Sequence, residues 1–231
     1  MDAAQSLVAK HGYEVWWRGH SKAEWRLQPA VYRSDRGKGA EQQLAVRFQR
    51  SAQTRHAHCP PQGDLPSWLY LAQHYRLPTR LLDWTESPLV ALFFAVREKP
   101  EQDGALWALA PFLFNKHQIN EAVILDSTDP RAQALIAAAF DPARTSPSIS
   151  VATYPAEIDI RLSVQLSAFT LHGVPTPLED APNAGTYLTK FVVPAGAKQS
   201  LAESLDALGI RRANLFPDLE NLAAQLSTLY F

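Results

Sequence analysis

The sequence predicts an α+β protein with a mixed or antiparallel central sheet flanked by helices. Three observations lead there. Strand-like and helix-like stretches follow one another without the regular βαβ alternation of a doubly wound sheet. The chain has 231 residues, 46% of them hydrophobic and 19% charged, which suits one large domain around a real core. Proline is frequent, at 17 residues, so elements are expected to be short and loops numerous.

The elements follow in order. Residues 13–18 are aromatic and β-branched and read as a strand running into a polar turn at 19–22. Residues 41–57 set Leu44, Ala45 and Phe48 among polar residues, the pattern of a helix. Residues 67–75 read as a second helix, with Ser67 at the N-cap position and Pro78 beyond its end. Residues 79–84 form a short strand. Thr85 or Ser87 then caps a helix over 88–97 whose first turn holds Pro88, tolerated there because the N–H it lacks would have no helical partner. That helix is apolar nearly all round and is expected to be buried. Residues 105–110 read as a core strand, 115–140 as a mostly helical, alanine-rich insertion, and 158–170 as strands from partial alternation. A strand at 187–193 ends at Pro194. An amphipathic helix over 198–208 stops at Gly209, and a last helix covers 219–229. The expected organisation is one domain over 1–231, with a motif core at about 13–97 and C-terminal strands and helices over 150–231.

Composition excludes several classes. A formal net charge of -1 argues against a strong nonspecific grip on nucleic acid. The single cysteine, Cys59, rules out a disulfide within the chain and a cysteine-based zinc site. It follows His56 and His58, but in a polar, proline-flanked loop, and no metal is expected there. Residues 1–10 lack the apolar core of a signal peptide, and the longest apolar stretch, 88–96, falls short of the roughly 20 residues that span a bilayer. The expectation is a cytoplasmic protein without a membrane partner. No glycine-rich phosphate loop, G-x-S-x-G elbow or H-E-x-x-H pattern occurs.

Four segments carry chemistry. In Trp16-Trp17-Arg18-Gly19-His20-Ser21, Arg18 presents a planar fork of donors suited to phosphate or carboxylate, Gly19 permits a turn or a close approach to a ligand, and His20 can hold or move a proton. An Arg paired with a buried carboxylate and a turn histidine fit the same letters. The stretch 73–88 gathers Gln73, His74, Tyr75, Arg80, Asp83, Trp84, Thr85 and Ser87 around a short apolar strand. Arg80 and Asp83 suit a structural ion pair, and Thr85 and Ser87 suit helix caps, while a helix start at Ser87 offers free N–H groups to an anion. Polar residues at Glu157, Asp159, Arg161, Ser163 and Gln165 would share one face of a strand, either solvated or lining a site. Asp218 stands where a helix begins.

Trp17-Arg18-Gly19-His20, then Trp25-Arg26-Leu27-Gln28-Pro29 and Arg33, resemble the opening signature of the FRG-domain family, named for Phe-Arg-Gly, with Trp17 in place of the Phe. Ala72-Gln73-His74, Asp83-Trp84-Thr85 and the run from Ser87 to Ala95 resemble its second block. Arg161, Gln165 and Phe169 look like a later block, and Leu215-Phe216-Pro217-Asp218-Leu219 like the last. The order of blocks is in turn similar to the ADP-ribosyltransferase superfamily, which implies a split sheet and NAD as co-substrate, with no tightly bound cofactor. By that analogy Arg18 with Gly19 holds the pyrophosphate and His20 the adenosine-side ribose. Tyr75 or Trp84 stacks on nicotinamide, and Thr85 and Ser87 hold hydroxyls or the carboxamide. Gln165 or Glu157, on a third strand at 160–165, orients the reacting ribose. Gln165 stands where many members have Glu, and an amide stabilises a cationic transition state less well than a carboxylate. The resemblance implies a bacterial toxin or antiphage effector with a protein or nucleic-acid acceptor, or a regulatory domain that needs a partner. Two other readings fit the residues. One is a noncatalytic module for a nucleotide or ADP-ribose. The other is a nuclease or phosphotransferase using Arg18, His20, His74, Arg80 and Asp83 on a phosphodiester.

Overall fold

Side chains alternate between the two faces of a strand, so Trp16 and Trp17 lie on opposite sides of β1 (Trp16–His20), and both are buried. A strand with two apolar faces belongs inside a sheet covered on both sides. The computed structural model places it there, and describes residues 6, 7, 9, 14–155 and 160–230. Among them, α1 (Asp35–Ala52), α2 (Leu65–His74), β2 (Leu81–Thr85), α3 (Pro88–Val96) and β3 (Gly104–Leu109) follow β1. Next come α4 (Pro111–Ile119), α5 (Pro130–Ala138), β4 (Ser150–Thr153), α6 (Ile160–Val164) and β5 (Ser167–His172). The chain ends with α7 (Ala184–Tyr187), β6 (Leu188–Val193), α8 (Lys198–Ala207), α9 (Arg212–Leu215) and α10 (Leu219–Tyr230). The strands form one six-stranded sheet in the order β4-β5-β2-β1-β3-β6, with every pair antiparallel. The α+β class is as expected, and the sheet among the described residues is continuous rather than divided in two. None of their helices is long and apolar enough to cross a membrane.

One face of the sheet carries Trp16, Leu82, Trp84, Trp107 and Leu109, covered by Phe114 of α4 and Tyr187 of α7. The other face carries Trp17 and Ala108 and is covered by α3. Ser87 caps α3 with its hydroxyl, which accepts from the Val90 N–H (3.4 Å), and Pro88 starts the helix, as its sequence predicts. Gly19 has a different task from the turn expected of it. A Cβ there would lie 1.8 Å from the Ala91 carbonyl oxygen and 2.7 Å from the Ala95 nitrogen, so the helix backbone rests directly on β1.

Three expectations are corrected. The cap of α2 is Asp64, whose carboxylate accepts from the Ser67 N–H (3.3 Å); Ser67 lies inside the first turn. The helical stretch 115–140 is two helices, with Asn115 of α4 reaching across to β4. Its amide donates to the Ala152 carbonyl (3.0 Å) and accepts from the Ala152 N–H (2.7 Å), completing what a neighbouring strand would supply. The stretch 160–164 is the helix α6, not a strand. The ladder between β2 and β5 ends at the pair Thr85↔Ser167, where β2 itself ends, so the residues before Ser167 lie beyond it. Leu166, with φ of 48°, makes the reversal between α6 and β5.

Two buried charges hold the periphery. Arg80 forms a two-pronged pair with Glu41 (2.9 and 2.6 Å) and also bonds the Leu135 carbonyl and the Ser146 hydroxyl, both at 2.9 Å. Burial pulls its pKa down, and the bonds and charge of Glu41 outweigh that and leave it raised. The Lys198 ammonium is buried and donates to the carbonyls of Ser21 (2.8 Å), Glu98 (3.1 Å) and Lys99 (3.0 Å).

Gly19→Ala forces a methyl into backbone that cannot yield, and is expected to cost about 3 kcal/mol or more; an unchanged midpoint in urea would contradict this packing. Glu41→Ala strands a buried guanidinium and is expected to cost about 3–5 kcal/mol, whereas the double variant Glu41→Leu/Arg80→Met recovers most of the loss. Equal losses in the single and double variants would show that the pair is not the source.

Candidate functional site

Antiparallel strands pair along their length unless something parts them. β1 pairs with β3 over five residues, from Trp16↔Leu109 to His20↔Ala105, and β2 pairs with β5 over all five of its own. Between β1 and β2 there is a single pair, Trp17↔Thr85. Past it the two strands separate, and a cavity of about 1120 Å³ is lined by Trp17–Ser21 on one side and Leu81–Thr85 on the other. A volume of that order suits a ligand of dinucleotide size.

Side chains bridge the gap that the backbone leaves. The Arg18 Nη1 donates to the Asp83 carbonyl (2.5 Å) and lies 3.6 Å from the Asp83 carboxylate. The same carboxylate accepts from the Gln73 amide at 3.0 and 2.9 Å, and the Gln73 oxygen accepts from the Thr79 hydroxyl (2.5 Å). On the other side the Arg18 Nε donates to His20 Nε2 (3.0 Å). That bond requires a lone pair on Nε2, so the proton sits on Nδ1 and goes to the Trp25 carbonyl (3.2 Å). One polar chain thus runs Thr79–Gln73–Asp83–Arg18–His20–Trp25 and joins segments that are far apart in sequence. Two of its bonds fix the plane of the Arg18 guanidinium, and Nη2 has no hydrogen-bond partner among the described residues.

The electrostatics follow from burial. Desolvation lowers the Arg18 pKa, and Arg33 adds repulsion while Asp83 opposes it. Desolvation, then the Arg18 charge, pushes His20 down to about 3, so its ring is neutral near pH 7. His172, fully buried in β5, is pushed down to about 3 by desolvation and by Arg18 and Arg80. Arg33 also lines the cavity; desolvation lowers its pKa, and its Nε donates to the Gln28 carbonyl (3.0 Å).

The structure brings Arg18, Gly19, His20, His74, Asp83, Trp84, Thr85 and Gln165 to the cavity wall. Their roles differ from expectation in several places. Trp84 is buried and spends its N–H on the Thr170 hydroxyl (3.1 Å), so it packs as core rather than stacking on a ligand. Tyr75 lies outside the cavity lining, bonded to His56 (3.3 Å) and packed beside Phe48. Arg80 faces neither the cavity nor Asp83; its partner is Glu41. Ser87 is the cap of α3 and is not on the wall. The Thr85 hydroxyl donates to the Gln165 carbonyl (2.6 Å) and accepts from the Ser87 N–H (3.1 Å), and both bonds are structural. The Gln165 amide donates to the Leu215 carbonyl (2.8 Å). With His20 Nε2 taken by Arg18 and Arg80 sealed by Glu41, acid–base attack on a phosphodiester has little support. Glu157 lies outside the described residues, and of Arg161 only the backbone, within α6, is described. Asp218 caps α10 through the Asn221 N–H (2.8 Å). Among the described residues no group of three or more His, Cys, Asp or Glu could hold a metal ion.

Three further cavity residues had no role assigned from sequence: Gln73 and Arg76 lie within the polar stretch 73–88, and Arg33 was noted only in the family signature. Gln73 joins Thr79 to Asp83. Arg33 adds a second cation. Arg76 adds a third on a left-handed backbone (φ 61°) just past α2, a place that favours glycine. The signal for Arg76 was present: an arginine where a helix stops without a glycine.

Fold and site together define an α+β protein with an arginine-lined cleft at the parting of its two central strands. Residues 13–104 match the family model described as FRG domain. No curated protein and no solved structure matches the chain.

The neutral histidines make stability depend on acid. In the unfolded chain both titrate near 6.5, and in the folded protein at about 3. Below pH 6.5 the unfolded chain binds protons that the folded one does not, so stability is complete above that pH and falls as pH drops toward 3. Each ring contributes a slope of about 1.4 kcal/mol per pH unit inside the window. Urea denaturation at pH 7.5, 5.5 and 4.5 is expected to show this fall, flattened in His20→Gln and again in His20→Gln/His172→Gln. A double variant as acid-sensitive as the parent would assign the effect elsewhere.

Proposed function

We propose that the cleft binds NAD and that the protein is an NAD-dependent ADP-ribosyltransferase or NAD-cleaving enzyme. The observation that carries this reading is the Arg18 guanidinium, held in plane by Asp83 and His20 inside a cavity of about 1120 Å³. A preordered planar fork suits the paired oxygens of a pyrophosphate, and little side-chain freedom is lost on binding. Arg33 and Arg76 also line the cavity and add positive charge.

In the reaction, the bond between ribose C1′ and the nicotinamide nitrogen breaks, and its electron pair leaves with nicotinamide. An acceptor oxygen or nitrogen bonds to C1′ and gives up its proton. The positive charge that grows on the ribose needs an electron-rich neighbour. Asp83 is the carboxylate of the polar chain, with its side chain 53% exposed beside Arg18. The Gln165 amide is held by the Leu215 carbonyl through one N–H (2.8 Å). That tie favours a second reading, binding of NAD or ADP-ribose without turnover.

Calorimetry with NAD and ADP-ribose, paired with a chromatographic assay for nicotinamide, separates the possibilities. NAD is expected to bind, and Arg18→Ala is expected to weaken it at least about tenfold, since a hydrogen bond to a charged group is worth about 1.5–3 kcal/mol. Binding without nicotinamide release selects the second reading, and a wild-type protein that neither binds nor releases refutes both. Arg76→Gly relieves a left-handed backbone and is expected to raise stability by about 0.5–1 kcal/mol while weakening NAD several-fold. Unchanged affinity would remove Arg76 from the site.

A further inference from the structure

The protein has six tryptophans, and five are core residues: Trp16, Trp17, Trp68, Trp84 and Trp107 are between 0% and 6% exposed. Trp25 is 42% exposed and lines the cavity. Exposure of one indole would be ordinary by itself; this one is exposed where it lines the cavity. Here it stands at the end of the polar chain that fixes Arg18.

Its position is built rather than incidental. The Trp25 N–H donates to the Lys22 carbonyl (3.2 Å), and its own carbonyl accepts from His20 Nδ1 (3.2 Å). The next two residues are pinned as well: Arg26 pairs with Glu179 (2.6 Å) and with Asp180, and the Leu27 N–H donates to the Glu179 carboxylate at 3.1–3.2 Å. The His20 ring meets the indole edge to face, with centroids 6.1 Å apart and planes at 71°. His20 is the indole's ring partner among the described residues, and it also bonds Arg18. One imidazole therefore separates the guanidinium from the indole, much as a ribose separates a phosphate from its base.

Resting on the NAD reading above, we propose that Trp25 is the nucleobase platform of the cleft. It stacks on the adenine of an adenine nucleotide whose phosphates lie on Arg18 and Arg33. The aromatics that the sequence suggested for stacking, Trp84 and Tyr75, are buried in the core and outside the lining respectively. Stacking on a rigid indole gives affinity for a base without a hydrogen-bond code, and the preordered backbone limits the entropy lost on binding.

The buried state of the other five indoles makes the test direct, because emission quenched by acrylamide comes mainly from Trp25. AMP, ADP-ribose, ribose 5-phosphate and pyrophosphate are titrated into the wild-type protein, Trp25→Ala, Trp25→Phe and Arg18→Ala, followed by calorimetry and by fluorescence. AMP and ADP-ribose are expected to quench the wild type and shield it from acrylamide, whereas the two ligands without a base do neither. Trp25→Ala is expected to weaken ADP-ribose about five- to a hundredfold and leave pyrophosphate unchanged, and Trp25→Phe to restore most of the loss. If ADP-ribose binds Trp25→Ala as it binds the parent while Arg18→Ala loses it, the platform is wrong and the cleft reading stands. If the wild type binds none of the four, the cleft reading itself is wrong.

Discussion

The cleft exists because two neighbouring strands pair at one residue and then part, and Arg18 spans what the backbone leaves open. Unpaired strand edges inside a protein are costly unless other donors and acceptors meet them. Here a guanidinium meets the Asp83 carbonyl, and the side chains of Asp83, Gln73 and His20 hold the guanidinium in turn. The same atoms that repair the sheet define the polar wall of the cavity. Stability and recognition are therefore not separable at Arg18, and a ligand that engages it would bind a group already in position.

His20 shows how burial sets a role. An exposed histidine beside an arginine could exchange protons near neutral pH. In this setting desolvation and the Arg18 charge keep the ring neutral, and its two nitrogens are spent on holding Arg18 and receiving support from Trp25. It acts as a spacer of fixed tautomer. The Arg80–Glu41 pair illustrates the opposite case, in which a buried charge is retained because a carboxylate, a carbonyl and a hydroxyl surround it.

Much of this was readable in the letters. Pro88 after Ser87 marked the start of α3, the apolar run behind it marked burial, and Gly209, with φ of 80°, marked the stop after α8. Arg18, His20, Asp83 and Gln165 were picked from their chemistry, and all four line one cavity. What failed did so where long-range packing decides. The alternation at 157–165 looks like a strand, but β2 ends at the pair Thr85↔Ser167, and residues 160–164 coil into α6. The partner of Arg80 lies 39 residues away on α1, and no local pattern announces it. Gly19 looked like a turn or a place of close approach to a ligand, and the Ala91 carbonyl that occupies its Cβ position is 72 residues distant. Trp25 was noted only within the family signature, because exposure is a property of the fold, not of the residue.

The strand order bears on what counts as a unit of folding. The segment matched to the FRG domain, 13–104, contains β1 and β2 but only the first residue of β3. Within it the two complete strands share a single cross-strand pair, and their long ladders run to β3 and β5. The recognisable motif is thus the middle of a sheet whose flanks come from later in the chain. Expressed without residues 105–231, it would present two bare, largely apolar strand edges, which are templates for aggregation. The boundaries by which a family is recognised and those within which its chain can fold autonomously are different things in this architecture.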